Sequence, residues 1–152
     1  MSPDFSPMSL AGESGLIESI ILELLPYSAK GLNPRIYLSA EMVNGVKDCV
    51  TVYHLAASVD FFASEKDLKK LHVEATKLLL SVAKNANVQR FVYLGAASVI
   101  MNGKPIVNAD ETFTSDNIID GYSRTKLQAE NLVLAANNKN FHTISLRPPL
   151  IW

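Results

Sequence analysis

The strongest constraint in this sequence is a set of short apolar runs that do not alternate with polar residues. They are Cys49 to Ala57 (CVTVYHLAA), Arg90 to Ala96 (RFVYLGA) and His142 to Arg147 (HTISLR). A strand with one face in water alternates, whereas a strand covered on both faces does not. The runs therefore predict buried strands of a parallel sheet. Helical patterns lie between them. Leu68, Leu71, Ala75, Leu78, Leu79 and Val82 recur at three- and four-residue steps, with Lys69, Lys70, Glu74 and Lys77 on the other side. This spacing predicts an amphipathic helix from Glu65 to Asn85. A second is predicted from Tyr122 to Asn138, with Leu127, Val133 and Leu134 inward and Gln128 and Glu130 outward. Alternating strands and helices build right-handed βαβ units, so the expected class is α/β.

The N-terminal part is less regular. Leu16, Ile17, Ile20, Ile21 and Leu24 form an apolar stripe that Pro26 ends, which predicts a helix from Ser14 to Leu25. A first strand belongs at Met1 to Met8, but Pro3 and Pro7 flank it. Proline cannot donate to a central ladder, so a strand there is short, at an edge, or damaged. Loops are expected at Lys30 to Arg35, Met101 to Pro105 and Asp110 to Gly121.

Composition narrows the function classes. A chain of 152 residues suits one domain, here 1–152. With 48% hydrophobic and 19% charged residues, it has enough apolar material for a core. Its net charge of −1 carries no basic excess that would point to nucleic acid. One cysteine, Cys49, excludes an internal disulfide and reads as a small core residue. No apolar run is long enough to cross a bilayer, and Asp4 and Pro7 stand where a signal peptide carries positive charge and then apolar residues. The expectation is a soluble, cytoplasmic protein.

The chemistry-bearing residues are few. Tyr122 and Lys126 form Y-x-x-x-K, which places both on one helix face about a turn apart. An ammonium beside a phenol favours the phenolate, and such a tyrosine exchanges a proton near neutral pH. The same spacing also occurs on ordinary solvated helix faces. Gly12 and Gly15 give G-x-x-G before the predicted N-terminal helix. Glycines there let the backbone approach a pyrophosphate, although a plain turn into a helix accounts for them equally. Glu18 holds the place of the third fingerprint glycine, and Arg35 lies where an acidic ribose ligand is usual. An arginine there suits a 2′-phosphate or a solvated surface. His54 reads as a hydrogen-bonded core histidine, His72 lies near the apolar face of the long helix, and His142 begins a strand; their spacing suggests no metal site. No G-x-S-x-G elbow supports hydrolase chemistry.

In order, VYHLAA, a helix, RFVYLGAASV, NADE, YSRTK and SLRPPLIW resemble the extended short-chain dehydrogenase/reductase superfamily. Within it the likeness is to the 3β-hydroxysteroid dehydrogenase and sterol-4α-carboxylate 3-dehydrogenase group, near the NAD-dependent epimerase/dehydratases. It runs from about Asn44 to Trp152, with a degenerate opening fingerprint at Leu10 to Leu25. The resemblance implies a Rossmann-like three-layer domain with a parallel sheet. It also implies NAD or NADP as cofactor and interconversion of a secondary alcohol and a ketone on a small molecule such as a sterol or another hydrophobic alcohol. By resemblance, Tyr122 is the acid/base, and Lys126 holds the nicotinamide ribose and lowers the tyrosine pKa. Leu55, Ala56 and Ala57 border the cofactor after His54, and Pro148, following Arg147, sits near the nicotinamide.

The departures are specific. The strand-end hydroxyl of the family maps to Ala96 in Gly95-Ala96-Ala97, with Ser98 two residues later. The helix asparagine of N-V-x-G-T maps to His72 in H-V-E-A-T. Gly12 and His54 stand too close for the usual elements between them, so the N-terminal part is expected to be trimmed. The family continues beyond the position of Trp152 into a substrate-binding region, so that region is expected to be missing. An exposed patch at Leu150, Ile151 and Trp152 is expected to favour self-association. Three readings stay open: an impaired dehydrogenase/reductase, a catalytically inactive Rossmann-like remnant, and an NAD(P)-binding regulatory module.

Overall fold

The computed structural model describes residues 19–22 (backbone only), 45–58, 63–115 and 117–149. Four strands form one sheet among them: β1 (Ser19–Leu22), β2 (Thr51–His54), β3 (Arg90–Leu94) and β4 (His142–Leu146). Their spatial order is β1-β2-β3-β4 and every pairing is parallel. The parallel α/β sheet of Rossmann-like kind is as expected. Because all strands run together, the segments that follow β2, β3 and β4 leave the sheet at the same end.

The N-terminal helix expected from Ser14 to Leu25 is overturned. Ser19–Leu22 is a strand in register with β2, Ser19 opposite Thr51 and Leu22 opposite His54. The S-I-I-L segment is β-branched at its centre, and a short apolar run with Ile20 and Ile21 suits a strand better than a helix. A short edge strand is thus present, but at Ser19–Leu22. The expected strand at Met1 to Met8, the loop at Lys30 to Arg35 and the patch at Leu150 to Trp152 lie outside the described residues.

The helix expected over 65–85 is a rod in three segments: α1 (Glu65–Lys69), a π-helical turn (Lys70–Glu74) and α2 (Ala75–Asn85). Ser64 caps it, its hydroxyl accepting from the Asp67 N–H. It ends in a Schellman motif, with the Asn87 and Val88 N–H groups donating to the Lys84 and Ala83 carbonyls. Asn87 takes the left-handed conformation the motif needs (φ 58°). That ending turns the chain straight into β3. The other long helix, α3, spans Gly121–Ala135 and is capped by the Asp120 carboxylate, which accepts from the Ser123 N–H.

Both rods pack on one face of the sheet around Val52, Phe91 and Tyr93, with Leu79, Ala83, Ala129 and Val133 between them. Two assignments on α3, one inward and one outward, are corrected. Leu134 is exposed, and Glu130, expected outward, is 1% exposed. The buried stripe of α3 is Thr125, Lys126, Ala129, Glu130 and Val133. It is partly polar because the segments it covers offer charged and polar partners. The Glu130 carboxylate accepts from the Arg147 guanidinium through both oxygens and from the Ser145 hydroxyl. Arg147 also donates to the Phe113 carbonyl, which ties the long loop after the 3-10 turn Ala97–Ile100 to the sheet.

At Gly95 the end of β3 meets both β4 and α3. A Cβ there would lie 2.9 Å from Glu130 Oε2 and 3.0 Å from the Leu146 carbonyl oxygen. Gly95→Ala is therefore expected to lower stability by about 1–3 kcal/mol, as overpacking does. Urea unfolding checks this, with a lower midpoint at an unchanged slope.

Candidate active site

The site is assembled at the sheet end where β2, β3 and β4 finish. Asp120 starts α3, so Tyr122 falls in its first turn and Lys126 one turn later. Lys126 is buried to 1% exposure, and its Nζ donates to the Leu94 carbonyl, the last of β3, at 2.6 Å. The same ammonium lies 4.4 Å from the centre of the Tyr93 ring. Burial lowers the Lys126 pKa to about 8, and the negative charge of Glu130 holds it up against that.

Tyr122 is half-buried beside the helix rod. Its ring meets His72 edge-on, with centroids 5.4 Å apart and planes at 88°. Burial raises the phenol pKa above its usual value, and the Asp120 carboxylate raises it further. The expected lowering by Lys126 is therefore not found. The ammonium is engaged with Leu94 and Tyr93, and the charge that acts on the phenol is the Asp120 carboxylate.

The small-residue segment Leu55, Ala56 and Ala57 follows β2 at the same sheet end, as expected, with Ala56 buried. Pro148 follows β4, and its carbonyl accepts from the Ala97 N–H at 3.0 Å. Gly12, Gly15, Glu18 and Arg35 lie outside the described residues. Ala96 ends the β3 segment with no hydroxyl. Ser98, two residues on, lies 2.8 Å from Ser123 Oγ, which is 2.9 Å from Asp120 Oδ2. Ser123 has one proton and a carboxylate only accepts. Ser123 therefore donates to Asp120 and Ser98 donates to Ser123, so the Ser98 proton is committed to the helix cap. An open cleft of about 290 Å³ adjoins Tyr122, lined also by Ala63, Glu65, Asp120 and Arg124. Among the described residues no three His, Cys, Asp or Glu side chains come together as metal ligands.

Two buried histidines sit behind the pair. His54 is a core residue, as expected: its Nε2 lies 2.8 Å from Thr76 Oγ1, whose own proton goes to the His72 carbonyl. Nε2 therefore carries the His54 proton. His72 was mapped to the helix but its partners were not foreseen. Nε2 accepts from the Ser58 N–H at 3.1 Å and Nδ1 lies 2.8 Å from Thr125 Oγ1. Glu130 reads as outward from the sequence, with no role in the site; the signal available for one is its four-residue offset from Lys126 together with Arg147 as a cation.

Burial first and the Lys126 charge second lower the pKa of His54 to about 3 and of His72 to about 4. Unfolded histidine binds its proton at about pH 6.5, so below that pH the unfolded chain gains protons that the folded one refuses. Stability is then full above about pH 6.5 and falls as the pH drops toward 4. The expected slope approaches two protons, about 2.7 kcal/mol per pH unit. Denaturant titrations between pH 7 and pH 4 measure it, and His54→Gln should remove about half.

Comparisons with known proteins agree with this architecture. The model of the 3-beta hydroxysteroid dehydrogenase/isomerase family matches residues 33–152. The chain is 40% identical over 106 residues to a decarboxylating sterol-4-alpha-carboxylate 3-dehydrogenase of Candida albicans, covering 68% of this chain and 30% of that protein. It is 37% identical over 122 residues to a 3 beta-hydroxysteroid dehydrogenase/Delta 5→4-isomerase of Mycobacterium tuberculosis, covering 74% and 32%. Among solved structures, a short-chain dehydrogenase/reductase superfamily protein of Agrobacterium tumefaciens with bound NAD is similar, with a TM-score of 0.61 and 26% identity over 70% of this chain and 33% of that one. The chain spans about a third of the length of these relatives. With its family model matched from residue 33 through Trp152, the chain belongs to the 3-beta hydroxysteroid dehydrogenase/isomerase family.

Proposed function

We propose that this chain carries the cofactor-binding and acid/base part of an NAD(P)-dependent oxidoreductase that interconverts a secondary alcohol and a ketone on a hydrophobic ring skeleton. The observation that carries the reading is the placement of Tyr122 and Lys126: both project from the first two turns of α3, and the Lys126 ammonium lies against the terminal carbonyl of β3. In open α/β sheets this end is where dinucleotides bind. The residues fit such a group. Ala56, Ala57 and Ala96 are small enough for close backbone approach, and Lys126 is a buried cation with two further N–H donors beyond the one spent on Leu94.

NAD or NADP, when bound, supplies the hydride acceptor for an alcohol carbon or the donor for a ketone carbon. Tyr122 takes the hydroxyl proton in oxidation and returns it in reduction. Lys126 would hold the nicotinamide ribose through its remaining donors. Leu55, Ala56 and Ala57 would border the cofactor, Pro148 would sit near the nicotinamide, and Gly12 and Gly15 would take the pyrophosphate. The cleft beside Tyr122, Glu65 and Arg124 is the approach for the substrate. The Tyr122 phenol, whose pKa burial raises, is suited to donating a proton to a ketone oxygen; oxidation needs that pKa brought down.

Ala96 favours a second reading, a module that binds cofactor without turnover. No hydroxyl stands at that strand end, and the Ser98 proton is committed to Ser123. Loss of one donor to a developing oxyanion costs about 10²–10³ in rate.

One experiment decides between them. The full chain is titrated with NADH and NADPH by fluorescence, then assayed with 3β-hydroxysteroids and with 3-ketosteroids. The expected result is saturable binding and slow turnover that falls by about 10²–10⁴ in Tyr122→Phe with binding unchanged. Saturable binding with no turnover of any such substrate selects the non-catalytic module. Absence of binding to either nucleotide overturns both readings.

A further inference from the structure

The π-helical turn carries a buried side chain that the reaction above does not use. His72 is 1% exposed and touches three residues on two pieces of the site, the segment after β2 and α3. Its Nε2 accepts from the backbone N–H of Ser58, the residue directly after Leu55-Ala56-Ala57. Its Nδ1 faces the Thr125 hydroxyl on α3, and its ring meets the Tyr122 ring edge-on.

The hydrogen-bond arithmetic fixes its state. Nε2 accepts from an N–H, so it carries no proton. In the neutral imidazole the proton is then on Nδ1, which donates to Thr125 Oγ1. The Thr125 hydroxyl passes its own proton to the carbonyls of Gly121 and Tyr122, 2.9 Å away in each case. An unbroken line of donors therefore runs from Ser58, through the imidazole and Thr125, to the backbone of Tyr122 itself. Every polar atom of the buried ring is satisfied, which holds it in one orientation. A π-helical turn is a local departure from the i→i−4 ladder and is frequent at functional sites.

We propose that His72 is a positioning residue, clamping the segment after β2 to the first turn of α3 and holding the Tyr122 ring in place. It acts through Tyr122 and has no part in the chemistry. This rests on the reading of Tyr122 as the acid/base, but the clamp is a geometric claim with its own readout.

The test uses three variants of the full chain, with no substrate needed. Asparagine places a polar atom near the position of Nδ1, and glutamine places one near that of Nε2. His72→Asn therefore keeps the link to Thr125 and loses Ser58, His72→Gln keeps Ser58 and loses Thr125, and His72→Ala loses both. Two quantities are read: amide hydrogen exchange at Ser58, and the titration midpoint of Tyr122 by ultraviolet difference absorbance against Tyr122→Phe. The clamp predicts faster Ser58 exchange in Ala and Asn but not in Gln. It also predicts that the Tyr122 midpoint falls toward its ordinary value in Ala and Gln, as water reaches the phenol, and falls less in Asn, which loses the ring contact but keeps the Thr125 link. Where His72→Ala does not fold, the Asn and Gln pair carries the test. A Tyr122 midpoint unchanged in Gln, or Ser58 exchange unchanged in Asn, overturns the proposal. Should the chain turn over a steroid, kcat is expected to fall by up to about 10²-fold in Gln with KM for the nucleotide little changed. Absence of turnover in the parent chain counts against the acid/base reading alone and leaves both clamp readouts intact.

Discussion

A buried ammonium must be given acceptors and a countercharge, or it is driven to lose its proton. Lys126 is where this chain meets that demand, and much of the described structure is arranged around it. The Leu94 carbonyl takes one N–H, the Tyr93 ring supplies a negative face, and Glu130 supplies the countercharge from one turn further along α3. Glu130 is itself buried and is held by Arg147 and Ser145. The chain of charges thus runs from the helix into β4 and the segment after it. Gly95 has no side chain where these pieces converge, which lets the carboxylate approach the strand end.

The same charge organises the neutral groups. Lys126 adds to the burial that keeps His54 and His72 uncharged, and two neutral imidazoles can serve as directional hydrogen-bonding groups. His54 ties β2 to α2 through Thr76, and His72 ties the end of β2 to α3 through Ser58 and Thr125. The polar interior behind Tyr122 is therefore an ordered network with assigned tautomers, lying between the strand ends and the helix that carries the site.

The parts of this architecture that follow from local pattern could be read from the residues. The apolar runs at Thr51–His54, Arg90–Leu94 and His142–Leu146 announce the strands, but the cover expected on both faces is not met among the described residues: the rods bury the Val52 and Phe91 face, while Tyr53, Ile144 and Leu146 on the other are exposed. The rod over 65–85 follows from its periodicity, and Tyr122 and Lys126 from their spacing on α3. What could not be read depended on distant partners. Ser19–Leu22 has a stripe compatible with a helix, and pairing with β2 decides for a strand. Glu130 looks solvated until Arg147 arrives from β4, seventeen residues on. The upward shift of the Tyr122 phenol could not be foreseen from Y-x-x-x-K, because it comes from burial and from the capping carboxylate Asp120. Local spacing brought the lysine to the right face, but the carbonyl of Leu94 decides where its ammonium points.

The central claim is that the Lys126 ammonium is desolvated at the end of β3. Its own titration tests this most directly, followed by nitrogen-15 resonance of labelled lysine side chains and assigned with Lys126→Met. The account predicts one amine that loses its proton at about 8, well below the other lysines. An amine at position 126 that titrates with the rest, near the ordinary value of 10.5, would place that side chain in water and contradict the arrangement described.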